Sequence, residues 1–313
     1  MALTLAESAK LTNDVLLRGV IETILKESPI LQVTPFIEIE GNGLTYNREK
    51  ALAAAKWFPP LGTWDQPTAP EFDPLTATLS ILGRDADLDN FIRQTRSNIQ
   101  DIEAAVLELA AKSLRHEFER TLVYGTTATY LTGQTVDANA FDGLVKLIAT
   151  GGPSDQVVTM GGTGGTLTFS KVDHLIDAVK GGKPDILMMS RRSRRKMNEL
   201  ARAAGFAIET DRDQWGNFIQ LWNGIPVAIN DWILDTHVLT SGYETAVTGG
   251  TCSTIYALRF GEGAVCGATN QGIQIERVGT LETKDATRHR LKWYCSLVDF
   301  NVVARAALIG VTD

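Results

Sequence analysis

The sequence has few cysteines, and their arrangement indicates neither a disulfide framework nor a metal site. Its three cysteines, Cys252, Cys266 and Cys295, form no Cys-x-x-Cys pair, so we expect buried free thiols. Its four histidines are scattered without metal-ligand spacing. The composition therefore favours a chain that folds without disulfides or a bound metal.

Long apolar runs and a basic charge excess are also missing. No apolar segment approaches the roughly 20 residues that span a bilayer, and the first residues lack the pattern of a secretory signal. We therefore expect a protein that is made and kept in the cytoplasm, without a membrane partner. The net charge of −7 argues against a protein that grips nucleic acid through its phosphates, although nucleic acid can still lie nearby.

The nucleotide-binding and catalytic motifs that we sought are incomplete. Pro184 follows Gly182-Lys183 where a phosphate-binding loop needs Ser or Thr. Neither Gly162-Thr163-Gly164 nor Gly261-Glu262-Gly263 is followed by the third glycine of a dinucleotide fingerprint. We predict no catalytic residue, cofactor site or metal site, and therefore no enzyme. A soluble α/β enzyme that binds a phosphate at the loop Gly161 to Gly165 stays open as an alternative. The basic run Arg191 to Lys196 is typical of an exposed or subunit-contacting helix face.

The clearest pattern that is present is an amphipathic segment from Asp85 to Tyr124. Apolar residues recur in it at spacings of three, four or seven, and no Pro or Gly interrupts it. We predict one helix of roughly 55 Å, which is about the width of a compact molecule of this length. Asp85, Asp87 and Asp89 are candidate N-terminal caps, and Gly125 is the predicted stop.

The segments before this spine helix have mixed patterns. A shorter amphipathic helix is predicted from Thr12 to Lys26, ended by Ser28-Pro29. A hairpin is predicted between Phe36 to Glu40 and Leu44 to Arg48, around Gly41-Asn42-Gly43. Ala51 to Pro74 is rich in proline and poor in periodicity, which is typical of an extended, partner-binding loop. Thr76 to Leu82 should be the strand that leads back.

Beyond Gly125 the sequence has an alternating α/β pattern and then becomes rich in strands. The predicted elements are a helix Lys171 to Lys180 capped by Ser170, a strand Asp185 to Met189, a helix Arg191 to Ala204 capped by Ser190 with the apolar stripe Met197, Leu200 and Ala204, a hairpin Phe218 to Ile229 turning at Trp222-Asn223-Gly224, a loop Asp231 to Gly250, and strands Thr254 to Phe260, Ile273 to Val278 and Leu291 to Phe300.

This order of elements resembles the major capsid protein of tailed bacteriophages, the Hong Kong 97-type fold. The segments that carry the resemblance are IEIEGNGLTYNREKALAAAKWFPP, the spine helix, TFSKVDHLIDAVKGGKPDILMMSRRSRRKMNELAR, WNGIPVAIND and HRLKWYCSLVDFNVVARAALIGV. The resemblance implies an α+β fold with a long spine helix, an extended E-loop and an α/β A-domain. It divides the chain into an N-terminal arm 1–34, an E-loop 35–80, a P-domain 81–135 with 265–313, and an A-domain 136–264.

The resemblance also implies a function and partners. Copies of the chain would self-assemble as hexamers and pentamers into an icosahedral shell around viral double-stranded DNA, in a virion capsid assembled in the host cytoplasm. Scaffolding, portal and decoration proteins are further partners that it allows, and the DNA would lie nearby without sequence-specific binding. An encapsulin-like nanocompartment shell is the alternative within the same fold. The residues predicted to contact a neighbouring subunit, all in the E-loop, are Arg48, Glu49, Lys50, Lys56, Trp57, Phe58 and Trp64.

Overall fold

The computed structural model describes residues 29–51, 55–63, 71–96, 102–125, 137–151, 154–161, 164–206, 209–212, 218–236 and 252–312. The helices are α1 (Pro29–Val33), α2 (Asn90–Arg96), α3 (Ile102–Tyr124), α4 (Leu144–Gly151), α5 (Phe169–Ala178) and α6 (Arg191–Ala203). The strands are β1 (Phe36–Glu38), β2 (Gly43–Ala51), β3 (Glu71–Thr78), β4 (Ser80–Asp89), β5 (Val157–Thr159), β6 (Gly165–Thr166), β7 (Ile186–Met189), β8 (Glu209–Arg212), β9 (Phe218–Trp222), β10 (Ile225–Ile229), β11 (Ser253–Leu258), β12 (Val265–Thr280), β13 (Ala286–Asp299) and β14 (Arg305–Thr312).

The described strands form three sheets. A four-stranded sheet has the order β1-β12-β13-β4, and β2 pairs with β3 in a separate two-stranded sheet. An eight-stranded sheet has the order β5-β14-β11-β7-β10-β9-β8, with β6 also paired to β14. The last strand, β14, therefore belongs to the eight-stranded sheet, although the expected division groups 265–313 with the spine helix.

The predicted spine helix is partly wrong at its beginning. Asp85 to Asp89 are the end of strand β4, and α3 has 23 residues, which corresponds to about 35 Å rather than about 55 Å. Ala86 belongs to an apolar cluster with residues of α3, whereas its neighbours Asp85 and Asp87 pair with arginines on the other face. So short an alternating run fits a strand as well as a helix. The helix ends at Gly125 as predicted.

The aspartates differ in their roles. Asp89 accepts hydrogen bonds from the backbone N–H groups of Phe91 and Ile92, at 2.8 and 3.3 Å, and so caps α2 as predicted. Asp85 and Asp87 are strand residues and cap no helix. Residues 97–101, between α2 and α3, are outside the described residues.

The predicted hairpin beside Gly41 is also wrong in its pairing. β1 pairs with β12 in parallel, and β2 pairs with β3 instead. The pairing of β1 with β12 requires a glycine at position 267, because a Cβ there would lie 2.4 Å from the ring of Phe36. The missing side chain lets Phe36 pack against Phe118 of α3 and Trp293 of β13.

Several local predictions are confirmed. Ser190 caps α6 by accepting from the N–H of Ser193, and β9 and β10 form a hairpin in which Asn223 and Gly224 both have positive φ. The helix α5 begins two residues earlier than predicted, at Phe169, so Ser170 lies inside it. The predicted helix Thr12 to Lys26 lies outside the described residues.

The buried face of α6 differs from the predicted stripe, and its basic run is partly paired. Its buried residues are Ser193, Met197 and Ala201, whereas Ala204 is exposed. Arg191 makes a bidentate pair with Asp231, with N–O distances of 2.5 and 3.0 Å. Arg191 and Arg195 are exposed as predicted, whereas the side chain of Arg192 is 14% exposed and donates to backbone carbonyls of its own chain.

Two large apolar clusters form the core. One lies between α3, α4 and both larger sheets and is centred on Phe118, whose ring centroid is 4.6 Å from that of Trp293. The other packs α5 and α6 against the eight-stranded sheet. All three cysteines are buried thiols as predicted, and burial raises the pKa of the Cys266 thiol to about 11 and that of the Cys295 thiol to about 12. These are packed thiols rather than nucleophiles.

Candidate assembly surfaces

The predicted E-loop contains a long two-stranded ribbon. β2 and β3 pair antiparallel from Gly43 opposite Thr78 to Ala51 opposite Glu71, and no other described strand pairs with either. Pro74 lies within β3, opposite Asn47, which a ribbon without further neighbours tolerates. The ribbon therefore leaves the sheets at a root near Gly43 and Thr78, and the described residues 55–63 belong to the connection at its far end.

The root of the ribbon is fastened to the end of β13. The Tyr46 hydroxyl donates to the backbone carbonyl of Asp299 at 3.0 Å, and its ring lies edge-on to Phe300. Arg48 faces the carboxylate of Asp299 at 3.5 Å, and Arg305 pairs with the same oxygen at 2.8 Å. The structure thus places Arg48 in an ion pair within its own chain, where the sequence predicted a contact between subunits.

This root is a buried charge cluster. The side chains of Asp299 and Arg305 are 3% and 1% exposed, and that of Arg48 is 20% exposed. Burial raises the pKa of the Asp299 carboxyl, and the guanidinium groups of Arg305 and Arg48 act in the opposite direction. Burial and the nearby Asp299 also raise the pKa of Tyr46. The fold therefore fixes the base of the ribbon through charged and aromatic contacts.

The described part of the far end presents apolar side chains to solvent. Trp57 and Leu61 are fully exposed, at 101% and 108% of their reference areas, and Phe58 is half-buried. Leu61 is the third residue of a turn closed by the N–H of Gly62 and the carbonyl of Pro59 at 3.0 Å, and its φ is +64°. Glycine usually fills such a position, so the turn holds a leucine outward at a cost in backbone strain.

The structure describes less of the other residues predicted to contact a neighbouring subunit. Lys56 is exposed. Glu49 and Lys50 lie in β2, and only their backbone is described. Trp64 is outside the described residues. Sequence reasoning missed Leu61, although the sequence Pro-Pro-Leu-Gly indicates a turn that would display it.

A second apolar surface lies on the four-stranded sheet. β1 pairs with β12 only from Gly267 to Thr269, so the rest of β12, up to Thr280, has no described strand on that side. Ile273 and Ile275 on this edge are opposite Trp293 and Leu291 of β13 and are about half exposed. An apolar, unpaired strand edge is a surface that proteins normally cover.

The opposite face of that sheet carries paired charges. Arg290 donates two hydrogen bonds to Asp85, at 2.8 and 3.0 Å, and Arg288 donates two to Asp87, at 2.6 and 2.8 Å. Each arginine is directly opposite its partner across β4 and β13. These hydrogen bonds lower the pKa of both carboxyls.

The described residues offer little for bound ions. Among them, no group of three His, Cys, Asp or Glu side chains is placed to hold a metal ion. Within the same ranges, no helix is both long enough and apolar enough to cross a membrane. Gly162 and Thr163 of the proposed phosphate loop are outside the described residues.

Part of the sequence matches a family of major capsid proteins. Residues 90–233, just under half of the chain, match the family model of the SU10 major capsid protein. No curated protein matches the chain.

Solved structures share the fold over nearly the whole chain. The holo-SrpI encapsulin complex from Synechococcus elongatus PCC 7942 has a TM-score of 0.68 and 17% identity, covering 96% of this chain and 95% of that one. A structure from Mycobacterium phage Bobi has a TM-score of 0.62 and 15% identity, with 100% of both chains covered. The capsid of the native GTA particle has a TM-score of 0.61 and 15% identity, covering 90% of each chain.

These matches settle the predicted fold and the predicted resemblance. At such identities the structural likeness shows the fold alone, and it confirms the α+β Hong Kong 97-type fold. The family match, together with that fold, confirms the resemblance to tailed-phage major capsid proteins.

Proposed function

We propose that this chain is the structural subunit of an icosahedral phage shell and that the β2–β3 ribbon is the arm by which each copy holds the next. The family match and the fold support a structural capsid role. The observation that carries the role of the arm is the full exposure of Trp57 and Leu61 at the end of a ribbon whose root is fixed to its own subunit. Large apolar side chains held that far from a core are typical anchors of an interface.

The arm and its receiving surface lie on different parts of the chain. The apolar edge of β12, with Ile273 and Ile275, is the surface we propose for the arm of a second copy. A contact between two unlike patches of identical subunits is head-to-tail, and it closes into rings when the rotation allows. Such rings are the hexamers and pentamers that the resemblance implies.

The remaining partners and the division of the chain are part of the same proposal. The N-terminal arm 1–34, E-loop 35–80, P-domain 81–135 with 265–313 and A-domain 136–264 keep their expected bounds, with β14 also completing the A-domain sheet. The shell would enclose double-stranded DNA, with scaffolding, portal and decoration proteins as further partners, and would assemble in the host cytoplasm. We propose no catalytic role for any residue.

Electron microscopy of the purified protein tests the proposal. Capsomers or closed shells are expected, and a monomer at all salt and protein concentrations would contradict the proposal. Replacing residues 51–66 with a short Gly-Ser linker should leave a folded subunit, seen by circular dichroism and thermal melting, but should block shell closure. Normal shells from this variant would show that the ribbon is not an intersubunit arm.

The encapsulin-like shell is the second candidate, because an encapsulin shares the fold at a TM-score of 0.68. The match of residues 90–233 to a phage capsid family favours the phage shell. The contents of particles purified from the native source separate the two candidates, since DNA indicates a phage shell and a protein cargo indicates an encapsulin. A protein that stays monomeric and binds phosphate would instead support the enzyme alternative at Gly161 to Gly165.

A further inference from the structure

A cavity of about 400 Å³ lies away from the ribbon, beside the eight-stranded sheet. Its walls come from α5, from the end of α6 and from strands β8 and β9. The volume falls in the range of small-molecule sites. Its lining residues belong neither to the proposed arm nor to the β12 edge proposed to receive it.

Aromatic rings form much of its wall. Phe169 at the start of α5 stacks on Trp222 at the end of β9, with centroids 4.7 Å apart and planes 17° from parallel. Phe206, just after α6, lies edge-on to Phe169 at 6.0 Å and is 62% exposed. The faces of such rings attract cations as well as methylene groups.

Two carboxylates complete the wall. Asp173 lies one helical turn after Phe169 on α5, and Glu209 lies on β8 opposite Leu221. Neither carboxylate has an ion-pair partner among the described residues, and none of the described lining residues is basic. Lys183 reaches the rim, where its ammonium donates to the carbonyl of Asn223 rather than to a carboxylate.

We propose that this cavity binds a small aliphatic di- or polyamine. Its ammonium groups would face Asp173 and Glu209, and its methylene groups would lie on the rings of Phe169, Trp222 and Phe206. An anion would meet two carboxylates, and a purely apolar ligand would leave both charges unused. The inference does not depend on the shell-forming function.

Isothermal titration of the purified full-length protein with 1,4-diaminobutane tests this proposal. We expect saturable binding that weakens with added salt, because the contacts are between charges. The double variant Asp173→Asn with Glu209→Gln should weaken binding about tenfold. Phe206→Ala should weaken it about two- to fivefold, the range of an exposed cation–π contact.

Matched controls lie on the same elements. Asp177→Asn with Asp211→Asn removes two exposed carboxylates from α5 and β8 that do not line the cavity, and Phe218→Ala removes an exposed ring from β9. Both controls should bind the diamine like the unmodified protein. The proposal is overturned if the diamine fails to bind, if 1,4-butanediol binds equally well, or if the control variants weaken binding as much as the cavity variants.

One further outcome would redirect the assignment. If N-acetyl-lysine N-methylamide binds and the diamine does not, the cavity recognises a lysine within a polypeptide, and the proposal of a free amine is wrong. Circular dichroism and melting of every variant show whether a lost signal reflects unfolding. The cavity variants change exposed side chains, so their melting temperatures should match those of the controls.

Discussion

The buried charge cluster at the root of the ribbon gives the sharpest stability prediction. Asp299→Asn keeps the shape of the side chain but removes the negative charge that faces Arg305 and Arg48. The guanidinium of Arg305, 1% exposed, then stays buried without its carboxylate partner. Removing one member of a buried pair typically costs about 3 to 5 kcal/mol, and we expect a loss of that order.

Arg48→Met provides the comparison within the same cluster. Its guanidinium is 3.5 Å from Asp299 and partly exposed, so removing it should cost about 1 kcal/mol or less. The double variant Asp299→Leu with Arg305→Met removes both buried charges and should be less destabilised than Asp299→Asn, because no buried charge is left without its partner. The order of stability should therefore be Arg48→Met, then the double variant, then Asp299→Asn.

Urea unfolding followed by circular dichroism measures these differences. The oligomeric state of each variant must be matched by light scattering, because assembly adds concentration-dependent stability. An Asp299→Asn variant as stable as Arg48→Met would refute the reasoning, since it would show that the carboxylate does not offset the buried charge of Arg305.

Three further predictions follow from other parts of the fold. Ala110→Pro, at a buried position inside α3, should cost about 3 kcal/mol or more and prevent folding, and a soluble, assembling variant would contradict the helix. The pKa values of Asp85 and Asp87 are lowered in the folded protein, so their contribution to stability is complete above the unfolded pKa of about 3.9 and is lost as the pH falls through the lower folded values. The unmodified protein should therefore melt at a higher temperature than the double variant Asp85→Asn with Asp87→Asn near neutral pH, and this difference should disappear in acid. Leu61→Asn, which tolerates positive φ, should leave the melting temperature of the subunit unchanged or higher and should weaken assembly in light scattering, whereas normal assembly would exclude Leu61 from the interface.

Local chemistry made part of the fold predictable. The Ser190 cap and the Asn223-Gly224 turn are each decided by a few adjacent residues, so the sequence alone indicated α6 and the β9–β10 hairpin. These elements need no knowledge of distant parts of the chain.

Distant partners decided the predictions that were wrong. Asp85 and Asp87 lie in strand β4, where their partners are Arg290 and Arg288 on the neighbouring strand β13, some two hundred residues later in the chain. β1 leaves the expected hairpin because Gly267 offers a gap for its aromatic ring. No local pattern contains either contact, and short alternating runs fit more than one element.

In the ribbon, too, the sequence predicted what depends on local composition and missed what depends on distant residues. The proline-rich composition indicated an extended arm, but the partner of Arg48 could not be read from residues near it in sequence, because Asp299 lies at the far end of the chain. The outward leucine depends on a φ of +64° at Leu61, which the proline-rich composition does not reveal, although the order Pro-Pro-Leu-Gly indicates a turn. Sequence therefore predicted the segment, and the structure distinguished its root from its tip.

That distinction bears on how an arm of this kind works. An arm that is ordered before it meets its partner loses less entropy on binding than one that becomes ordered only in the interface. Tyr46 and Arg48 fix the root, and the prolines limit the backbone beyond it. Much of the conformational entropy of the arm is therefore lost when the subunit folds rather than when it assembles. Arg48→Met should therefore weaken assembly by more than its small effect on unfolding. Equal effects on both would mean that the ion pair contributes to the subunit core and not to the direction of the arm.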